Sequence, residues 1–313
     1  MLACAAVLST ILTFPSIAMA TPKQLTWGGC GISRIGFMQD LAAAYQKKSG
    51  IKVVLEGGGA TRGIRDTASG AMEMGGSCRL PLVYQNGDGS WSVESQERKV
   101  KMIPVGWDAL VVITHKDNHL VDNISQQQLR AIYTGEITDW SQLGANISKP
   151  INLYAREGKI SGVERTMRQL LFNNAEQEFT SRATWLSSSG KIEEAVEKDP
   201  FGLAVSGISS ARQRPLKILS LDGVTPTRET VKGGSYMLYR LLFLVVGDEY
   251  RTNPELAKFV DFALSAEGQR VIDKAGTLPY RHGLNLLHHG LSTRYTQSLD
   301  VMEQSGLYSP TGQ

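Results

Sequence analysis

The chain has 313 residues, 42% of them hydrophobic and 20% charged, with 32 glycines and a net charge of +3. Domains run to roughly 100–200 residues, so this length exceeds one compact core and fits two lobes with a cleft between them. The charge is far too small for a nucleic-acid binder of this size, no Lys/Arg run exceeds two residues, and a mild positive bias suits an anionic ligand.

Residues 1–20, MLACAAVLSTILTFPSIAMA, carry no charge and end in Ala18-Met19-Ala20, the small-x-small pattern that signal peptidase cuts. The segment reads as a signal peptide with Ala20 the last residue removed. It lacks a basic start, which leaves room for a start codon upstream of Met1, and it is too short for a good membrane span. Cys4 matches a lipid-attachment box poorly. Export to the periplasm leaves Cys30 and Cys78 in an oxidising compartment, and two is the number that one bridge needs.

Gln24 to Trp27 reads as a strand ending in Gly28-Gly29-Cys30-Gly31, and Phe37, Met38, Leu41 and Tyr45 then recur at helical spacing. The strand Lys52-Val53-Val54-Leu55 leads into the glycine-rich stretch Gly57 to Gly63 and a helix through Ile64 and Ala68. A third strand near Met72-Glu73-Met74 ends in Gly75-Gly76-Ser77-Cys78-Arg79. Three strands each running into a glycine-rich loop fit an open α/β sheet with its ligand at the carboxyl ends of the strands. Met102 to Val105 and Leu110 to Ile113 are strand-length runs joined through Gly106-Trp107-Asp108-Ala109, where the chain first crosses to the second lobe. That lobe holds helices over Ser125 to Tyr133, Ser161 to Phe172 and Lys191 to Glu197, with strands at Ile151 to Tyr154 and Gly202 to Ser206. The chain returns between Thr225 and Gly234. The apolar run Met237 to Val246 and helices Pro254 to Leu264 and Ala266 to Ala275 complete the first lobe. The expected division is signal peptide 1–20, lobe 1 at 21–108 plus 227–280, lobe 2 at 109–226, and a helical tail at 281–313 without an evident role.

A small oxyanion is held best by backbone N–H groups in glycine-rich turns and at helix N-termini, with hydroxyls and an arginine fork completing the shell. Ser33 and Arg34 open the first helix, Ala60 and Thr61 the second, and Ser77 to Arg79 follow the third strand. Arg156 precedes Ser161-Gly162-Val163 at a helix start in the other lobe. One such turn is ordinary packing. Four at corresponding positions in two lobes predict an anion clamp. Arg34, Arg62 and Arg79 read either as positive charge around its mouth or as surface groups paired with Glu56 and Glu73.

Gly29-Cys30-Gly31-Ile32-Ser33, Gly58-Gly59-Ala60-Thr61-Arg62-Gly63-Ile64, Met74-Gly75-Gly76-Ser77, the run Ile132 to Trp140 and Leu221-Asp222-Gly223-Val224-Thr225-Pro226-Thr227 resemble the phosphate-binding proteins of bacterial phosphate ABC importers and their wider substrate-binding family. The fourth is the most specific, an aromatic-x-Gly-x-Ile-x-x-Trp pattern. The resemblance covers nearly all of residues 24–280. It implies the two-lobed α/β type 2 periplasmic-binding fold, with a mixed sheet flanked by helices in each lobe and a buried, dehydrated anion in the cleft. It further implies a monomeric receptor for a membrane ABC permease, with no enzyme activity, metal or cofactor.

Carried over residue by residue, the resemblance places a ligand hydroxyl at Ser33 and a backbone donor at Arg34. A serine of the family falls on Ala60, beside Thr61, and a proton-accepting aspartate falls on Cys78, a poor acceptor. The second lobe supplies Arg156 and Ser161-Gly162-Val163 in place of Ser-Gly-Thr, with one extra residue before it. These departures open the site to sulfate-like anions, and make a sensor or interaction protein with altered ligand specificity the alternative to a transport receptor. The strands before Cys30 and Cys78 are neighbours in this family's sheets, which implies a Cys30–Cys78 disulfide at the cleft floor; the alternative is two buried reduced thiols. His115 and His119 read as loop residues and His282, His288 and His289 as surface residues. No hydrolase elbow, Walker loop or zinc-protease motif occurs.

Overall fold

A computed structural model of the chain describes residues 24–289 and 291–308. The expected signal peptide lies outside the described residues. The chain opens with β1 (Gln24–Gly29), the helical turn α1 (Gly31–Ser33), a π-helical stretch Arg34–Met38 and α2 (Gln39–Ser49), which run on without a break. Next come β2 (Lys52–Glu56), α3 (Gly59–Ala68), β3 (Met74–Ser77) and a hairpin of β4 (Val83–Gln85) and β5 (Trp91–Val93). β6 (Val100–His115) leads to β7 (Asn123–Ile124), α4 (Gln126–Thr134), β8 (Asn152–Arg156), α5 (Gly162–Phe172), β9 (Thr184–Leu186) and α6 (Ser189–Val196). β10 (Gly202–Gly207), α7 (Ile208–Ala211), β11 (Leu216–Ile218), β12 (Ser220–Leu221) and α8 (Arg228–Lys232) precede β13 (Tyr239–Gly247). α9 (Pro254–Leu264), α10 (Ala266–Lys274), β14 (Leu278–Pro279) and α11 (Thr293–Gln304) finish the described chain.

The order β2-β1-β3-β13-β6-β10-β8-β9 runs through one mixed sheet that serves both lobes. β1 pairs in parallel with β2 and β3, and β10 pairs in parallel with β8. Between these parallel halves, β6 is antiparallel first to β13, along Val100 to Ala109, and then to β10, along Leu110 to Thr114. The two runs read from sequence as separate strands are thus one 16-residue strand that crosses from lobe to lobe. Gly106 reads as a break. It sits in the strand because a Cβ there would press on Thr277 and on the Leu278 carbonyl of β14, so bare backbone is needed where β14 docks.

The glycines of the first three strands need a correction too. Gly28, Gly29, Gly75 and Gly76 belong to β1 and β3 themselves. They let α3 lie directly on the sheet: a Cβ at Gly63 of α3 would fall 2.6 Å from the Gly76 carbonyl and 2.8 Å from that of Gly28. These glycines serve close helix–sheet packing. The specific run Ile132 to Trp140 is likewise structural. Tyr133 is buried with its hydroxyl accepting the Val205 N–H, Gly135 ends α4 in the left-handed conformation, and buried Trp140 donates its indole N–H to the Phe201 carbonyl.

The tail, read as lacking a role, is part of the core. Tyr295, Leu299 and Met302 of α11 are buried, and the Tyr295 hydroxyl accepts the Leu241 N–H of β13. Ser298 and Ser292 bond Gln169 of α5, so the tail ties β13 to α5. Among the described residues, no helix is long and apolar enough to cross a membrane.

Candidate functional site

A cleft of about 420 Å³ is lined by the segments that follow β1, β2, β3, β8 and β9. Three helices aim their first turns at it. α1 begins after Cys30, α3 after Gly58 and α5 after Ser161, and none of these caps is closed by its own side chain. First-turn N–H groups have no partner within their own helix, and three such ends facing one cavity concentrate donors and partial positive charge there.

Eight of the nine residues that the sequence nominated, Arg34, Ala60, Thr61, Cys78, Arg156, Ser161, Gly162 and Val163, line this cleft. Ser33 lies behind the wall, fully buried. The Ser33 and Ser161 hydroxyls have no hydrogen-bond partner among the described residues. A buried hydroxyl left unpaired costs about 1–3 kcal/mol, so two of them beside one cleft mark groups oriented for something other than folding.

The roles differ from those expected in two places, Arg34 and Thr61. The Arg34 backbone N–H donates to the Cys30 carbonyl at 3.0 Å, because the helix starts at Gly31 and Arg34 is already inside its hydrogen-bond ladder. What Arg34 offers the cleft is its side chain, which has no hydrogen bond or ion pair among the described residues. Thr61 donates its hydroxyl to the Ile160 carbonyl across the cleft at 2.8 Å, so it fastens the lobes together. The expected bridge is present: Cys78 is bonded to Cys30 in a disulfide with a Cα separation of 6.1 Å, so its sulfur is no thiol. Gly29 of β1 stands opposite Gly76 of β3, and that pairing brings the two cysteines together as the strands end.

Of the three arginines read as mouth charges, only Arg34 lines the cleft. Arg62 pairs with Glu56 and Asp66, both at 2.8 Å. Arg79 is fully buried and makes a two-pronged pair with Glu97 at 2.7 and 2.9 Å. Its Nε also reaches across to the Ile160 carbonyl at 2.9 Å. Glu73 takes the Thr26 N–H and hydroxyl and pairs with no arginine among the described residues.

Arg156 ends β8. Its guanidinium donates to the carbonyls of Glu157 at 3.1 Å and Leu186 at 3.5 Å and makes no ion pair among the described residues, while Nη2 points at the start of α3, 3.7 Å from where a Cβ of Gly59 would stand. Burial lowers its pKa, with Glu157 and Glu164 pulling the other way. Behind it, Glu164 accepts the Arg156 backbone N–H at 2.9 Å and pairs with Arg168 at 3.2 Å. Burial pushes the Glu164 carboxyl up to about 7 against the pull of that N–H and of Arg168.

Sequence reasoning missed the pair that joins the lobes beneath the cleft. Arg240 of β13 and Asp108 of β6 are both buried and bonded at 2.7 and 3.0 Å. The other Asp108 oxygen accepts the Ser209 N–H and hydroxyl. Arg240 Nη1 donates to the Cys78 carbonyl of one lobe at 3.1 Å and to the Gly162 carbonyl of the other at 3.2 Å. The only sequence signal was two charges inside apolar runs. Among the described residues, no group of three or more His, Cys, Asp or Glu side chains could hold a metal.

The family model described as the PBP superfamily domain matches residues 33–267. The phosphate-binding protein PstS of Borreliella burgdorferi is 29% identical over 193 residues, covering 59% of this chain and 68% of that protein. The PstS of Staphylococcus haemolyticus is 28% identical over 58% of each chain, so the match spans little more than half of that relative. Among solved structures, a Clostridium perfringens protein with bound phosphate, assigned as a phosphate ABC transporter substrate-binding protein, superposes with a TM-score of 0.71 at 25% identity, over 82% of this chain and 99% of that one. An ABC-type phosphate transport receptor from Vibrio cholerae shares the fold, with a TM-score of 0.59 at 22% identity over 82% and 100%.

Proposed function

The chain belongs to the PBP superfamily, and from that membership we propose that it is an exported receptor that captures a phosphate-class oxyanion in its cleft for an ABC importer. The observation that carries this reading is Arg156, a half-buried guanidinium without a carboxylate partner among the described residues, facing helix N-termini from both lobes. An anion there receives N–H groups from the starts of α1, α3 and α5, the Ser161 hydroxyl, and the Arg156 and Arg34 guanidiniums. The lobes fall at about 21–108 with 227–280 and at 109–226, with β6 and the segment into β13 as the two crossings. The contacts of Thr61 and Arg79 with Ile160, and of Arg240 with Cys78 and Gly162, belong to the closed clamp and are remade at each capture.

The disulfide, standing where the family's carboxylate is expected, favours the second reading, a receptor that keeps the fold with changed selectivity. Titration calorimetry with phosphate and sulfate tests the first. Arg156→Ala should lower the affinity for whichever anion binds at least a hundredfold, about 2.7 kcal/mol. Arg156→Lys should recover only part of it, because an ammonium lacks the planar fork. Wild-type affinity in both variants removes Arg156 from the site.

A further inference from the structure

We infer that the cleft is shaped for a phosphate monoester of a small hydroxylated compound and takes it in preference to inorganic phosphate; this rests on the phosphate-class reading above. The first ground is size. A water molecule claims about 30 Å³ of liquid, so a five-atom tetrahedral anion displaces roughly two to three waters' worth of space. The cleft measures about 420 Å³, within the ~300–1,000 Å³ range of pockets that enclose organic ligands. Most of its volume is therefore surplus to a bare anion.

The second ground is the chemistry of the deep wall. Hydrogen phosphate carries one O–H that needs an acceptor. In a monoester that oxygen bears carbon, which needs room. The wall is made there by the Cys30–Cys78 disulfide, the Ala60 methyl and Val163, none of which accepts a hydrogen bond well. Room, by contrast, is present: a Cβ built on Gly31 or on Gly57 meets nothing within 4 Å, and both residues line the cleft.

The third ground is a second polar side to the cavity. Besides the helix starts of α1, α3 and α5, the cleft is lined by the segment Ser187 to Gly190, which follows the Leu186 carbonyl that accepts from Arg156. Ser188 caps α6 by accepting the Lys191 N–H, and Ser187 accepts from the Lys191 ammonium, so this segment is held in place. Glu157 stands at the rim, exposed, with no hydrogen bond or ion pair to its carboxylate among the described residues. Serine hydroxyls and an exposed carboxylate are groups that recognise a ligand's hydroxyls. Inorganic phosphate and sulfate have no carbon-borne hydroxyls for these groups to meet.

The test compares glycerol 3-phosphate, inorganic phosphate and sulfate by titration calorimetry on the full-length mature protein. Gly57→Leu serves as the space-filling variant, since its backbone carbonyl can still accept from Arg62. The inference expects glycerol 3-phosphate to bind at least tenfold tighter than either inorganic anion. In Gly57→Leu, with an unchanged melting temperature, that advantage should shrink to less than threefold while inorganic phosphate affinity holds. Equal or tighter binding of inorganic phosphate or sulfate by the wild type overturns the monoester preference and leaves the oxyanion reading standing. Absence of binding by all three overturns both.

Discussion

Removing the Cys30–Cys78 bridge is the perturbation whose size follows most directly from the structure. The cysteines are 48 residues apart in sequence, and the loop they close holds β2, α3 and β3. In the chain-entropy account, freeing a loop of that length in the unfolded state costs about 4 kcal/mol of stability. A chain of this length gains roughly 0.6 kcal/mol per degree of entropy on unfolding, so the melting temperature should fall by about 7 °C. The double variant Cys30→Ala with Cys78→Ala should show this loss in urea titrations and should be indifferent to dithiothreitol. The wild type should lose a similar amount when reduced, and its urea m-value should rise as the freed unfolded chain exposes more surface. The bridge is also part of the cleft floor, packed against Gly162 of the other lobe, so reduction should weaken anion binding along with stability. If alkylation shows both thiols free and the urea midpoint has not moved, the loop account of this bridge is wrong.

Two further outcomes follow from groups around the cleft. Gly162→Ala should abolish anion binding while both lobes stay folded, because the added methyl would overlap the Cys78 sulfur and sit 3.2 Å from the Ala60 Cβ, holding the lobes apart; calorimetry and circular dichroism together check it, and wild-type affinity would show that closure does not need that contact. Glu164 is raised by burial to about 7 from its usual 4.5, so the folded state holds its proton more tightly than the unfolded state does. Its contribution is therefore fully present below about 4.5 and is lost as pH rises through about 7. Glu164→Gln should flatten that slope in a stability-against-pH profile, and an unchanged slope assigns the pH dependence elsewhere.

Much of the architecture was legible because it is local. Ser125 and Gln128 form the capping box that opens α4, Ser161 opens α5, and Asn253 before Pro254 opens α9. The helix and strand periods behind them placed the elements to within a few residues. Apolar spacing and cap chemistry act over three or four residues, and a single chain displays them directly. The glycine-rich stretches were visible too, but not what each does. Only packing separates Gly63, pressed on two carbonyls, from Gly31 and Gly57, which meet nothing.

Short-range pattern and family motifs were enough to read two α/β lobes and to nominate residues that line the cleft. Tertiary structure alone decided which charges face it. Arg79 is withdrawn by Glu97, 18 residues away, and Arg240 is locked by Asp108, 132 residues away. A charged side chain takes whichever partner the fold brings within about 3 Å, because a buried charge left unpaired is too costly to keep. No short-range pattern announces partners that distant. The same holds for the tail, whose burial depends on a groove formed only once β13 and α5 have come together.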